Sequence, residues 1–162
     1  MKRYILILFS IYFTFSCSEK RQSKIIYESQ DYYRKALSFY NLGRHDSSFF
    51  YLELAKDKAL NEGDNLTIAR SLILIAINEY DQGDFFGAQE TSFKAIEFLE
   101  EGNMEQDTLL SYAYNTIANA TDEMKQYDKA IPYYHRAIHY SNDSNNILIY
   151  KNNLAVCLRN AK

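Results

Sequence analysis

The sequence predicts an all-α chain built as an array of helical hairpins, and three observations carry this. Ala36 and Ala55 are 19 residues apart, and so are Ala76 and Ala95, and Ala118 and Ala137. The gaps between pairs vary, 21 residues from Ala55 to Ala76 and 23 from Ala95 to Ala118. Around each pair apolar residues recur at spacings of three and four, and a polar or glycine-bearing break divides the pair. A fixed inner spacing is what two closely crossing helices impose, since only a small side chain fits there. The outer spacing is loop and helix-end length, which tolerates change. Self-similarity of this kind marks a repeat array.

The first unit has Tyr32, Ala36 and Phe39, the turn Leu42-Gly43-Arg44, then Ser48, Leu52 and Ala55. In the second, Leu72, Ile75 and Ala76 precede the turn Gln82-Gly83-Asp84, and Phe85, Ala88 and Ala95 follow. Gly83 suits the left-handed conformation that ends a helix, and Asp84 can cap the next one. In the third, Tyr114, Ile117, Ala118 and Thr121 make one stripe, the break comes at Lys125-Gln126, and Tyr127, Ala130, Tyr134 and Ala137 make the second. Asp128 near the start of that second helix suits the positive end of its dipole. Pro132, the one proline, falls inside it and predicts a mild kink. Residues 147–160 read as another first helix, with Leu154-Ala155 aligned on Ile117-Ala118.

These residues resemble the tetratricopeptide repeat family, whose pattern is aromatic-x2-Leu-small-x2-aromatic, a turn, then Ala-x3-aromatic-x2-Ala. Unit three is the nearest, as Tyr114-x2-Ile117-Ala118 and Tyr127-x2-Ala130-x3-Tyr134-x2-Ala137. Lys35, Ser48, Glu79 and Ser92 depart from the pattern, and the period is 40 and then 42 residues instead of about 34. The resemblance spans about residues 29–160. It implies a right-handed superhelical array, an α-solenoid of three repeats plus a single C-terminal helix. It also implies that the first helices line a concave groove that binds a peptide or protein segment.

The groove positions, offset from the alanine stripe by three and four, are then Gln30, Tyr33, Leu37 and Tyr40 in unit one. In unit two they are Arg70, Ile73, Ile77 and Tyr80, and in unit three Tyr112, Asn115, Asn119 and Asp122. The groove would run from aromatic-aliphatic at one end to amide and acid at the other. Each asparagine amide carries a donor and an acceptor for a peptide backbone, and tyrosines offer the contact area enriched at binding hot spots. Some of these residues would instead pack inward if the longer period tightens the superhelix. Chaperone-binding members of the family hold a C-terminal carboxylate with Lys and Arg at groove positions. Here those positions carry Tyr33, Leu37 and Asn115, with Arg70 alone, so that specialised role is not expected.

Met1-Lys2-Arg3 is a short positive segment, Tyr4 to Phe15 is an apolar run, and Ser16-Cys17 precedes a polar stretch. That order describes a secretory signal, and the run is too short for the ~20 residues of a comfortable membrane span. The cysteine at the break makes it resemble a bacterial lipoprotein signal. The resemblance implies cleavage before Cys17 and a lipid on its thiol; an ordinary signal with a chance cysteine is the alternative. The expected organisation is a signal peptide over 1–16, a lipidated N-terminus and linker over 17–24, and the helical repeat domain over 25–162. The location expected is the bacterial envelope, with a membrane contact through the lipid.

Removing residues 1–16 takes away Lys2 and Arg3 and moves the formal net charge from −3 to −5, which argues against a nucleic-acid partner. Lipidation of Cys17 would leave Cys157 alone on the apolar stripe of the last helix, as a buried, inert thiol. The chain holds 15 Tyr and 10 Phe without Trp, an excess expected to report helix packing. His135 and His139, one turn apart, lack a third ligand at a recognisable spacing and read as solvated; His45 stands alone in a turn. Glu97, Glu100 and Glu101 read as a solvated helix end. No catalytic constellation or phosphate loop stands out, so a non-enzymatic chain is expected, without cofactor, metal or small-molecule substrate. Lys151 on the last helix suits a solvated cap, whereas Leu148 and Leu158 on the same side suit a continuing chain or a covering partner.

Overall fold

The computed structural model describes residues 19–162, with side chains from Glu28 onward. The described residues form helices and no strand: α1 Glu19–Asn41, α2 His45–Glu62, α3 Asn65–Asp81, α4 Phe85–Ile96, α5 Met104–Glu123, α6 Tyr127–Tyr140 and α7 Ser144–Asn160. The all-α expectation is met. The expected signal peptide and Cys17 lie outside the described residues, and α1 begins at Glu19, within the stretch expected as a linker. No helix among the described residues is long and apolar enough to cross a membrane.

The helix ends follow local chemistry. Gly43 and Gly83 take φ of 68° and 85°, and Lys125 occupies the corresponding break at φ 63°. A side chain at positive φ is strained, which is why glycine is the usual occupant. Asp84 accepts from the Gly87 amide at 2.9 Å, Asp64 from Thr67 at 3.1 Å and Asp143 from Asn145 at 2.7 Å. Each satisfies a donor that the first helical turn leaves free. Pro132 is exposed and α6 runs through it.

Every helix packs against its chain neighbours. In addition α1 touches α3, α3 touches α5, and α5 touches α7, whereas α2, α4 and α6 do not touch one another. α3 therefore has α1, α2, α4 and α5 around it, and nearly every residue from Thr67 to Asn78 is buried. The six paired alanines are all 0 % exposed. They do not meet at one crossing, however. Ala118 packs with Ala130, while Ala137 packs one level away with Leu110, Tyr114 and Ile117. Two helices running back from a turn bring together residues equidistant from it, and the members of each pair are not equidistant. The constant spacing thus marks two levels of one hairpin rather than a single contact.

Buried polar groups pin the layers. Asn78, 0 % exposed, donates to Ser48 Oγ on α2 at 3.3 Å, and its Oδ1 lies 2.8 Å from His45 Nδ1. Gln89 on α4 donates to Thr121 on α5 at 2.7 Å. The aromatic residues depart from expectation. Tyr114, Tyr134 and Tyr150 are buried, but Phe49, Phe50, Phe86 and Phe93 on α2 and α4 are exposed. Among the described residues no further layer lies against the far side of those helices.

Candidate functional site

The site is built on α3 and α5, which lie side by side. Ile77, Tyr80 and Asp81 of α3 face Tyr112, Asn115, Thr116 and Asn119 of α5 across a cavity of about 220 Å³. A second cavity of about 340 Å³ is lined by Tyr80, Asn119, Asp122, Glu123, Tyr134, Asn153 and Val156. Tyr80 and Asn119 line both, so the two form one groove that crosses from α3 over α5 to α7.

Amides and hydroxyls hold its walls. Asn119 Oδ1 accepts from the Tyr134 hydroxyl at 2.9 Å and from Asn153 Nδ2 at 3.3 Å. Asp122 accepts a longer bond from Tyr134 at 3.4 Å. The Tyr40 hydroxyl donates to Asp81 at 2.9 Å, tying α1 to the same wall. Burial and this bond push the Tyr40 phenol up to about 12. Asn115 Oδ1 is buried without a hydrogen-bond partner, an acceptor that a water or a ligand N–H would satisfy.

The electrostatics are one-sided. Burial raises the Tyr80 phenol, and the carboxylates of Glu123, Asp122 and Asp81 raise it further. All three acids sit in or next to the last turns of α3 and α5, where the helix dipoles add negative potential. Neither cavity has a Lys or Arg in its lining. Among the described residues no cation lies within 4 Å of these acids.

The structure brings six of the expected residues to this groove: Ile77, Tyr80, Tyr112, Asn115, Asn119 and Asp122. Tyr33 and Arg70 lie near Tyr112 at the other end, close enough that Arg70 and Tyr112 both perturb the Tyr33 phenol, which burial raises. Gln30 is half-buried on α1 and Leu37 is exposed there. One expectation needs correction. Ile73 is 4 % exposed and packs with Ala59, Ile68, Leu72 and Ala113, because α3 has neighbours on nearly all sides. Arg70, the one basic residue among the expected groove positions, pairs with Glu105 of α5.

Asp81, Thr116, Glu123, Tyr134, Asn153 and Val156 line the groove without having been expected there. Val156 was within reach, since carrying the offset of Asn119 onto the Leu154-Ala155 alignment lands on it. Tyr134 lies on a second helix, whereas the expected groove positions all lie on first helices. His135 and His139 are exposed, and among the described residues no three His, Cys, Asp or Glu side chains are placed to hold a metal. Glu101 is engaged as well as solvated, accepting from the Tyr140 hydroxyl at 2.5 Å. On α7, Leu148 is 69 % and Leu158 43 % exposed.

No protein-family model matches the chain, and no curated protein shows significant sequence similarity to it.

Proposed function

We propose that this chain is a non-enzymatic protein-binding scaffold of the tetratricopeptide repeat kind, held at the bacterial envelope by a lipid on Cys17. Its helices are read as three stacked hairpins and a single last helix, forming a right-handed solenoid. A peptide or protein segment lies along the face made by α1, α3, α5 and α7. The observation that carries the reading is the continuity of the groove through Tyr80 and Asn119. The contact order supports it: first helices touch first helices and second helices touch only their chain neighbours, as stacked hairpins require. Tyrosines and amides are suited to holding an extended backbone while giving contact area at little entropic cost.

Two measurements test the two halves. Intact-mass analysis of membrane-extracted protein is expected to give a chain starting at Cys17 with added acyl mass; a start elsewhere without lipid removes the anchor. Crosslinking from a photoreactive side chain at Tyr112 is expected to capture a protein partner in envelope extracts. The same probe at Phe86, 69 % exposed on α4, should not capture that partner. Equal capture from both positions would count against the groove.

A second reading has one observation in its favour. The uncovered apolar side of α7, with Leu148 and Leu158, suits a chain that continues as the sensor part of a longer signalling receptor. A reading frame that continues into a membrane helix would decide for it.

A further inference from the structure

The shape of the groove leaves the chemistry of its occupant open, and the charges that line it narrow the choice. Asp81, Asp122 and Glu123 surround the Tyr80 phenol closely enough to perturb it. Asp81 lines one cavity, and Asp122 and Glu123 line the other. No Lys or Arg lines either cavity, and among the described residues none pairs with these three acids. The partners they do have are neutral, the Tyr40 and Tyr134 hydroxyls. The remaining lining combines tyrosines and asparagine amides with Ile77, Thr116 and Val156, and the buried Asn115 Oδ1 is an acceptor without a donor. Carboxylates beside an aromatic face, in a partly desolvated groove, complement an ammonium or guanidinium group. A groove open to solvent at both cavities and crossing three helices suits a chain passing through it.

We infer that the groove takes an extended segment of another protein bearing a Lys or Arg side chain, seated against Tyr80 between Asp81, Asp122 and Glu123. The assignment rests on the groove reading above and adds its charge. The segment's backbone N–H groups meet Asn115, and its cation meets the acid end. An acidic segment is disfavoured there, because it would bring like charges together.

The test is selection of random short peptides displayed on phage against the detergent-solubilised full chain, followed by titration of the most enriched synthetic peptide. The expected result is enrichment of Lys or Arg at one position. Replacing that residue by Gln in the peptide, or Glu123→Gln or Asp81→Asn in the protein, should each weaken binding roughly fivefold. Added salt should weaken it further. Tyr112→Ala and Asn115→Ala should also weaken it, without removing its salt dependence. Thermal unfolding of each variant separates lost binding from lost fold; Glu123 is exposed, so Glu123→Gln is expected to fold normally. Peptides without a basic residue that Asn115→Ala still weakens would keep the groove and overturn the charge assignment. No enriched peptide, or peptides indifferent to Tyr112→Ala and Asn115→Ala, would overturn both.

Discussion

The Tyr134 hydroxyl donates to Asn119 Oδ1 at 2.9 Å. Tyr134 is 1 % exposed and packs with Ala118, Ala130 and Leu154 in the core, yet its oxygen ends at the groove wall. One side chain thus fills the third hairpin and fixes the amide that both cavities share. Asn153 reaches the same oxygen from α7, so three helices meet at Asn119.

Tyr134→Phe keeps the packing and removes the hydroxyl. The cost expected is about 1 kcal/mol, the net worth of a typical hydrogen bond, because Asn119 retains the Asn153 donor. Tyr134→Ala should cost about 3–5 kcal/mol, as large-to-small core changes do. Urea unfolding measures both. Equal losses for the two would show that the bond, not the ring, matters there.

Alanine size matters only where a helix lies against it. Ala118 is 0 % exposed, whereas Ala155, its counterpart on α7, is exposed. Ala118→Leu should destabilise by about 1–3 kcal/mol through overpacking, and Ala155→Leu should stay within about 0.5 kcal/mol. Thermal denaturation of the pair reads this contrast, and a large loss at Ala155 would mean that something covers that side of α7.

Lys125 holds a positive φ where the two earlier hairpins have Gly43 and Gly83. Lys125→Gly relieves strain of roughly 1–2 kcal/mol and gives back part of it as unfolded-chain entropy. The expected outcome is a rise in stability of up to about 1 kcal/mol. Gly83→Ala, at φ 85°, should change stability in the opposite direction. A lower melting temperature for Lys125→Gly would show that the lysine side chain contributes more than its backbone costs.

Several buried acids are held protonated. Burial and the nearby Asp122 push the Cys157 thiol up from 9.0 to about 11. Burial pushes the Tyr150 phenol up from 10.0 to about 12, and Tyr134 moves in the same direction. A group whose folded pKa is raised stabilises the fold below its unfolded pKa and loses that contribution as pH rises through the folded value. Stability should therefore be unaffected by these groups up to about pH 9 and fall above it. The native Cys157 thiol should resist alkylation at neutral pH and react on unfolding. A stability curve flat through pH 11, or fast labelling of the native thiol, would contradict this burial.

Much of the local order was legible in the residues. Gly43, Gly83, Asp84 and the break at Lys125-Gln126 mark helix ends because turn and cap chemistry act within a few residues. The three alanine pairs mark hairpins because close packing excludes larger side chains. The buried thiol of Cys157 followed from its place on an apolar stripe. What the tertiary structure alone decided involves helices from different units. Ile73 has the spacing of a groove residue, but α3 has a neighbour on that side too, and its side chain is buried. Arg70 meets Glu105 and Tyr134 meets Asn119 because α3, α5 and α6 lie where they do, which no spacing along one helix contains. The acid rim around Tyr80 is likewise assembled from α3 and α5. Spacing along the chain reports which residues share a helix face, whereas burial and charge pairing depend on what lies across from that face.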